Sequence, residues 1–348
     1  DVGPDIAGGI YPFRDKNGSI KLDRADIEWL LATHEHGRGP VDWNDTTQRG
    51  RLGLDIRGID LRATNLSNLP LARTVGGLAL ESGEARIYNR LQRRRAVAHC
   101  EGANFEGAHL EASNLNRVRL DEADLRNARL ELAILYAAHL EGANLNYVYL
   151  AGADLRRAFL DEAVYLFRTA LSDRAYGGIW VQNTRWNGAN MTAAYMGDLR
   201  MLGDERKARQ QYTSTSKKAP SERIEEYMSA TRANRQFALL LRPQGLNEDA
   251  DRFAYRAQLC QRTVLRRQHK YLRYLGSLVL DLVSGYGYRP RRSVATYVVA
   301  IAVFAVFYWL VTNDVSLTHG LFTHLIRGCV RWAHGWVRRA RSKRIPAR

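Results

Sequence analysis

The sequence is poor in cysteine, with three among 348 residues: Cys100, Cys260 and Cys329. They lie far apart, and no CxxC pair occurs. Zinc ribbons need closely spaced thiolate pairs, and secreted disulfide scaffolds use an even set of cysteines. The cysteine content therefore argues against a structural zinc site or a disulfide framework, and it fits a reducing compartment.

Familiar catalytic and cofactor motifs are also missing. The sequence has no P-loop, GxGxxG, GxSxG, HExxH or EF-hand pattern. His34 and His36 flank a glutamate, but neighbouring residues diverge on a helix and no third metal ligand is evident. Gly285-Tyr286-Gly287 has the letters of a potassium filter, yet it precedes the only long apolar stretch instead of lying between two spans. We predict no enzyme activity, no catalytic residue, no metal and no cofactor.

Charge is absent from one stretch, SVATYVVAIAVFAVFYWLVTN, residues 293–313. A helix of this length extends about 31 Å, the thickness of the hydrocarbon core of a bilayer. The alternative is a buried helix of a soluble domain. We predict one C-terminal transmembrane helix, with membrane lipid as a partner.

The net charge of +16 is concentrated around that stretch. Residues 204–292 carry +10 and residues 314–348 carry +7, whereas residues 1–203 carry −1. A basic excess can indicate nucleic-acid binding, but this distribution makes nucleic acid an unexpected partner and favours a membrane surface instead.

Three arginines, Arg289, Arg291 and Arg292, directly precede the apolar stretch. Basic residues beside a span favour the cytoplasmic side. We therefore predict a single-pass protein of the cell membrane with the bulk of the chain in the cytoplasm.

Large residues, nearly all apolar, recur at every fifth position from Cys100 to Tyr165, and the residue two places earlier is small in most repeats. Five residues advance a helix by about 140° beyond one turn, so these residues would form no helical face. An odd period in a single strand would send successive side chains to opposite faces. The predicted core residues are Phe105, Leu110, Leu115, Leu120, Leu125, Leu130, Leu135, Leu140, Leu145, Leu150, Leu155 and Leu160.

Short extended segments joined by corners explain the period. Residues two apart in an extended segment point the same way, so the small residue and the leucine both face inward, and the other residues face outward or turn the corner. Four such segments close a square coil, and coils stack about 4.8 Å apart. Fixed short periods are typical of solenoids.

The units GANLN (142–146) and GADLR (152–156) resemble the pentapeptide-repeat family, A-(D/N)-L-x-x. The resemblance implies an all-β solenoid, a right-handed quadrilateral β-helix, with a binding role. Similar spacing precedes and follows the main run, around residues 56–71 and 181–201, giving 23 units or about six coils. Blocks such as RANRQFALLL and SGYGYRPRRS resemble bacterial membrane proteins that join these repeats to a transmembrane region.

The predicted organisation has five parts. An N-terminal segment, 1–50, includes a capping helix that starts at Asp23. The β-helix covers 51–203, with a helical insertion at about 72–97. An α-helical hairpin neck, 204–284, consists of helices at about 221–242 and 248–283 and covers the other end of the solenoid. The transmembrane segment, 285–313, and a basic tail, 314–348, complete the chain.

Three functions are compatible with this organisation. The first is a non-enzymatic, membrane-anchored scaffold that binds an unidentified protein and can also form an oligomer. The second is a channel or transport component, since longer relatives carry a second span, but no second apolar run follows Asn313. The third is a DNA mimic that binds gyrase, which needs a strongly acidic surface; residues 100–165 carry 11 acidic and 6 basic side chains in mixed order.

Overall fold

A computed structural model describes residues 13, 18–78, 90–196, 199–212, 216–288 and 290–313. The chain divides into two compact units, residues 1–278 and 279–348. The first unit contains the repeats.

The repeats form four walls, because every fifth residue starts a new side of a square coil and residues one coil apart pair in parallel. Within the main run the coil length is 20 residues, as in the step from Asn104 to Asp124. The columns of paired residues define walls A to D. Wall A carries Asp60, His99, Arg119, His139, Phe159 and Arg185. Wall B carries Asn65, Asn104, Asp124 and Asn144, followed by the separate pair Tyr165 and Asn190. Wall C carries Pro70, His109, Arg129, Tyr149, Ala170 and Tyr195. Wall D carries Asp55, Val75, Asn114, Ile134, Asp154 and Trp180.

Within one coil, each wall is too short to form a regular strand. Neighbouring coils therefore pair through one β-bridge per wall. Between coils the backbone bonds alternate: Leu120 N–H donates to His139 O at 2.8 Å, and His139 N–H donates to Val118 O at 3.0 Å. The only regular strands in the described residues are β1 (Ser172–Asp173) and β2 (Gly177–Gly178), an antiparallel pair. Six coils result, in agreement with the number expected from the repeats.

The corners explain the Asp or Asn of the repeat. In Asp124 and Asp154 the side chain accepts a hydrogen bond from the backbone N–H two residues later, at 3.1 and 3.0 Å. This is the local bond by which Asp and Asn stabilise turns. The residue after that N–H group, Asn127 or Arg157, has a positive φ of +57° or +60°. The outward Asp or Asn is therefore a corner stabiliser in these units.

The leucines fill the axis of the coil. All twelve predicted core side chains are at most 3% exposed. The small residues two places earlier, such as Ala128 and Ala138, are fully buried. A void of only about 10 Å³ lies along this axis, between Ile27 and Leu120, too small for a ligand. The inward face of the wall is a packed apolar core.

The repeat slips by one residue at residues 161–165. Val164 and Leu166 are buried, whereas Ala163 is exposed and Tyr165 is 54% exposed. The five-residue count placed Ala163 and Tyr165 inward, which is wrong. One extra residue after Leu160 moves the next unit by one position, and in a wall with alternating faces such a shift exchanges inward and outward side chains.

The insertion differs in extent from the predicted 72–97. The wall continues beyond 72, because Val75 pairs with both Asp55 and Asn114, and Gly76 N–H donates to Asn114 O at 2.8 Å. Helix α2 (Arg90–Arg95) leads back to the coil at Ala96 and Ala98, both fully buried. Residues 79–89 of the predicted charged helix lie outside the described residues.

Helix α1 (Arg24–Gly37) covers the first coil. Asp23 and Asp26 form a reciprocal capping box at its start, which satisfies N–H groups that a helix leaves unpaired. Ile27 and Leu31 are buried against the core of the coil. The backbone leaves the helical conformation at residues 34–36, so the regular helix ends before Gly37.

Helices α3 (Gly203–Arg209), α4 (Pro220–Leu241) and α5 (Asn247–Arg267) cover the last coil. Their polar side chains satisfy backbone groups that the end of a solenoid exposes. Val181 N–H donates to Asp204 at 2.7 Å, Asn183 N–H to Gln236 at 3.1 Å, and Met191 N–H to Gln244 at 2.6 Å. A short 3-10 turn, Arg242–Gln244, separates α4 from α5.

The second predicted helix of the neck is divided. Helix α6 (Tyr271–Ser284) follows α5 after a break in which His269 has φ +56°. The break contains neither glycine nor proline. Asn247 is the first residue of α5, whereas the cap position falls at Leu246 and has no side-chain cap.

The second unit contains a 3-10 turn, Gly285–Gly287, and helix α7 (Pro290–Asn313). Side chains of α7 are described from residue 293 to 309. Among the described residues, no helix is both long and apolar enough to cross a membrane. The transmembrane helix that the sequence predicts at 293–313 is therefore not supported by the structure. The tail, 314–348, lies outside the described residues.

Candidate functional site: an arginine-lined cleft on wall A

A cleft with a volume of about 1150 Å³ opens on wall A. It is formed because α2 re-enters the coil beside this wall. Among the described residues, its lining includes seven arginines and two histidines but neither aspartate nor glutamate. The arginines are Arg93, Arg94, Arg95, Arg117, Arg119, Arg157 and Arg185. We call this site the arginine cleft.

Stacking of the coils aligns the cleft residues in two rows. His99, Arg119, His139, Phe159 and Arg185 form the wall A column. Arg117, Ala137, Arg157 and Asn183 form a row along a corner, each with φ between +54° and +60°. Because successive coils repeat the same backbone conformation, residues 20 apart in the main run occupy equivalent positions. The cleft is thus a direct product of the 20-residue coil.

The aromatic ring in the column is already covered. Phe159 stacks on His139 with ring centroids 4.6 Å apart and planes 3° from parallel. The guanidinium of Arg185 lies 4.8 Å from the centroid of the same Phe159 ring. Cation–π and stacking contacts of this kind hold long side chains in place. Arg185 is therefore oriented by the ring, and its charge is not neutralised by it.

Positive charge in the cleft is only partly compensated. Arg119 contacts Glu101 at 3.1 Å and Asp121 at 3.4 Å, at the edge of the cleft. Among the described residues, no carboxylate forms an ion pair with Arg117, Arg157 or Arg185. Burial and the nearby charge of Arg93 lower the pKa of Arg117, and its Nε is buried without a hydrogen-bond partner. The arginines repel one another, and a bound anion would relieve that repulsion.

Asp121, His139 and Glu141 lie beside the cleft with one ligand atom of each within 4.8 Å of the others. All three side chains are partly exposed. Asp121 contacts Arg119, and His139 contacts Glu141 at 3.4 Å. These ion-pairing contacts account for the cluster, so it does not indicate a metal site.

The two motifs considered in the sequence lie elsewhere. The His34 ring nitrogen Nε2 lies 2.9 Å from Leu52 O. The backbone at residues 34–36 is not helical. Gly285–Gly287 forms a turn in which Ser284 Oγ accepts from Gly287 N–H at 3.2 Å. Arg289 lies outside the described residues, and Arg291 and Arg292 lie in the first turn of α7.

Sequence reasoning missed the arginine cleft, although its signal is present. His99, Arg119 and His139 are basic and 20 residues apart, and Arg117 and Arg157 are 40 residues apart. Comparing the outward positions at a spacing of 20, as well as the inward ones at a spacing of five, would have placed these side chains on one wall. The contribution of α2 required the structure.

A search of curated proteins gives no significant match to the chain. Among solved structures, the pentapeptide repeat protein Rfr23 from the cyanobacterium Cyanothece 51142 is 28% identical, with 38% of this chain and 91% of that protein covered and a TM-score of 0.15. A pentapeptide repeat protein from the thylakoid lumen of Arabidopsis thaliana is 19% identical, with coverage of 49% and 88% and a TM-score of 0.12. QnrB1, a plasmid-mediated fluoroquinolone resistance protein, is 16% identical, with coverage of 39% and 79% and a TM-score of 0.12. Matches with such low TM-scores carry no argument about function.

The family comparison agrees with the coil geometry. A profile of pentapeptide repeats matches residues 98–131 and 133–163 in eight copies. These ranges coincide with the part of the chain in which the 20-residue coil is regular. Residues 98–131 and 133–163 of this chain therefore match the pentapeptide-repeat family.

Proposed function

We propose that this protein is a non-enzymatic scaffold that binds another protein through the outer walls of its β-helix. The observation that carries the proposal is the closed axis. Buried leucines fill the axis, and the void described there between Ile27 and Leu120 is about 10 Å³, so in the described residues the outward side chains are the ones open to ligands. Those side chains stand in straight columns on a rigid frame, which is the arrangement that repeat proteins use for extended binding surfaces.

The walls also carry residues that suit protein interfaces. Tyr149 and Tyr195 on wall C are 50% and 54% exposed, and Tyr165 on wall B is 54% exposed. Tyrosine and arginine are enriched where protein interfaces derive most of their binding energy. The walls therefore offer several chemically different surfaces.

Crosslinking in cells, with the full chain and one variant for each wall, tests the proposal. The variants are Arg157→Glu beside wall A, Tyr165→Glu on wall B, Tyr149→Glu on wall C and Ile134→Glu on wall D. All four positions are outward, so the core should be unaffected, as circular dichroism can check. We expect a reproducible crosslinked protein with the wild type and its loss in at least one variant.

Absence of any specific crosslinked protein would contradict the scaffold. So would a partner that all four variants retain, because binding would then not depend on the walls.

We also propose that residues 293–313 attach the scaffold to the cell membrane, with the bulk of the chain in the cytoplasm. The uncharged sequence and the flanking Arg289, Arg291 and Arg292 support this placement. In α7 every large apolar side chain described between Val294 and Trp309 is at least 53% exposed. Such a helix needs an apolar surrounding.

Membrane fractionation tests the attachment. The wild type should remain with membranes after a carbonate wash, and Ala302→Arg, which places a charge in the middle of the apolar stretch, should shift the protein to the soluble fraction. Protease added to sealed cells should leave the repeats intact. Wild-type protein in the soluble fraction would contradict the attachment without affecting the scaffold proposal.

The other two functions have less support. A channel requires a second span, and the residues that follow α7 lie outside the described part of the chain. A DNA mimic requires acidic walls, whereas one cleft on wall A is lined by seven arginines.

A further inference from the structure

The arginine cleft has the size and charge of a binding site for a polyanion. Its seven arginines line about 1150 Å³, and the part of the lining that the structure describes contains no acidic residue. Three of them, Arg117, Arg157 and Arg185, have no ion-pair partner among the described residues. Arginine guanidinium groups bind carboxylates in paired hydrogen bonds. An anionic partner is therefore the chemical complement of the cleft.

The arrangement of the aromatic ring distinguishes between two kinds of polyanion. Single-stranded nucleic acids bind by stacking their bases on aromatic side chains in addition to contacts with phosphate. Phe159 is the one phenylalanine, tyrosine or tryptophan in the described lining, and both of its faces are occupied, by His139 and by Arg185. The described lining offers no free aromatic face to a base, so its chemistry favours carboxylates over a nucleic acid.

The spacing along the wall fits an extended peptide. Arg119 and Arg185 are three coils apart, or about 14 Å at the usual spacing of paired strands. Carboxylates on residues i and i+4 of an extended segment are also about 14 Å apart. Arg117 and Arg157 are two coils apart, about 10 Å, which lies between the separations of about 7 Å and about 14 Å of same-face residues i, i+2 and i, i+4. Roughly five residues of an acidic segment could therefore contact the whole column.

We propose that the arginine cleft binds an extended segment of another protein that is rich in aspartate and glutamate. This inference rests on the scaffold function proposed above and assigns that function to wall A. It identifies the partner by chemistry: a flexible acidic stretch that pairs its carboxylates with Arg117, Arg157 and Arg185.

Fluorescence anisotropy with the full chain tests the proposal. The probes are a labelled decaglutamate peptide, a decaglutamine peptide of the same length and a ten-nucleotide oligothymidylate. We expect binding of decaglutamate that weakens as salt is raised, because the pairing is electrostatic. Decaglutamine should not bind, and the oligothymidylate should bind more weakly than decaglutamate.

A matched pair of variants places the binding site. Arg157→Glu reverses a charge inside the cleft, and Arg168→Glu does so at another corner position with φ +53° outside the lining. Arg157→Glu should weaken decaglutamate binding about tenfold or more, and Arg168→Glu by less than about twofold. Equal melting temperatures of the two variants show that the fold is not responsible.

Three results would overturn the proposal: no decaglutamate binding, tighter binding of the oligothymidylate, or equal effects of the two variants. The crosslinking experiment distinguishes a wrong role for the arginine cleft from a wrong scaffold proposal. If the cellular partner is retained by Arg157→Glu but lost by a variant on wall B, C or D, the scaffold stands and the role of the arginine cleft is wrong. If no partner is found with the wild type, the scaffold itself is wrong.

Discussion

At the residue scale, the corner position two places after a large apolar residue adopts a left-handed backbone conformation in many of the described repeats. Ala63 and Gly102 occupy this position with φ +56° and +65°. Their N–H groups make equivalent bonds, to Glu101 O at 3.0 Å and Asp121 O at 2.8 Å. A left-handed conformation strains residues other than glycine by about 1–2 kcal/mol, which glycine's larger loss of conformational freedom on folding partly offsets.

Exchanging these two residues should therefore have opposite effects. Ala63→Gly should raise the free energy of unfolding by about 0.5–1 kcal/mol, and Gly102→Ala should lower it by a similar amount. A Cβ at Gly102 meets nothing within 4 Å, so only the backbone is tested. Urea denaturation followed by circular dichroism measures both. A loss of stability in Ala63→Gly would show that the corner is not strained.

The buried leucines of the coil axis allow a second prediction about single residues. Leu125 is completely buried, whereas Ile134 is 37% exposed on wall D. Leu125→Ala should reduce the free energy of unfolding by about 3 kcal/mol, because it leaves a cavity in a packed core. Ile134→Ala should reduce it by less than about 1 kcal/mol. Similar losses in the two variants would contradict the assignment of inward and outward positions.

At the element scale, one buried carboxylate joins the helices that cover the last coil. Glu205 of α3 is fully buried and receives hydrogen bonds from Arg209 at 2.8 Å and Arg256 of α5 at 2.9 Å. Asn234 of α4 contacts it at 3.3 Å. Glu205→Gln keeps the shape of the side chain but removes the charge that balances the two arginines.

Glu205→Gln should lower the free energy of unfolding by about 1–3 kcal/mol, since the partly exposed Arg209 and Arg256 lose their charged partner. Glu222→Gln on exposed α4 surface is the control and should have almost no effect. Chemical denaturation measures both variants. If Glu205→Gln unfolds at the same urea concentration as the control, the ion pairs do not hold the helices together.

A pH effect is expected from the neighbouring Asp204. Burial raises the pKa of Asp204 to about 6, although its bond from Val181 N–H favours the charged form. The folded state thus holds the proton more tightly than the unfolded chain, whose aspartate pKa is about 3.9. The contribution of this residue to stability is present below pH 4 and is lost as pH rises from about 4 to about 6, by about 3 kcal/mol.

Asp204→Asn removes that titration and keeps an oxygen acceptor for Val181 N–H. The difference in unfolding free energy between variant and wild type should therefore move in favour of the variant as pH is raised from 4 to 7. Denaturation curves at several pH values measure this difference. A constant difference would show that Asp204 does not retain its proton on folding.

The elements also show where sequence reasoning succeeds. The fifth-residue period predicts the inward leucines and the coil, and the N-cap residue Asp23 predicts the start of the capping helix, because each follows from local geometry. The one-residue shift before Val164 was not predicted, because Tyr165 is large enough to match the five-residue pattern by residue type. The break at His269 was not predicted either, because no glycine or proline marks it. The arginine cleft depends on residues that come together only when coils stack.

At the scale of the whole molecule, the central claim is that residues 20 apart are neighbours on one wall. Asn104 and Asp124 pair on wall B, whereas Asn104 and Arg119 belong to different walls. Paired residues lie about 5 Å apart between their Cα atoms, within the range in which two cysteines form a disulfide. Outward positions accept the change without disturbing the axis.

Disulfide formation in the full chain tests this claim most directly. We predict that the double variant Asn104→Cys with Asp124→Cys oxidises to an intramolecular disulfide, detected by peptide mass spectrometry. The double variant Asn104→Cys with Arg119→Cys should remain reduced under the same conditions. Failure of the first pair to crosslink, or equal crosslinking of both pairs, would contradict the square coil and every proposal built on its walls.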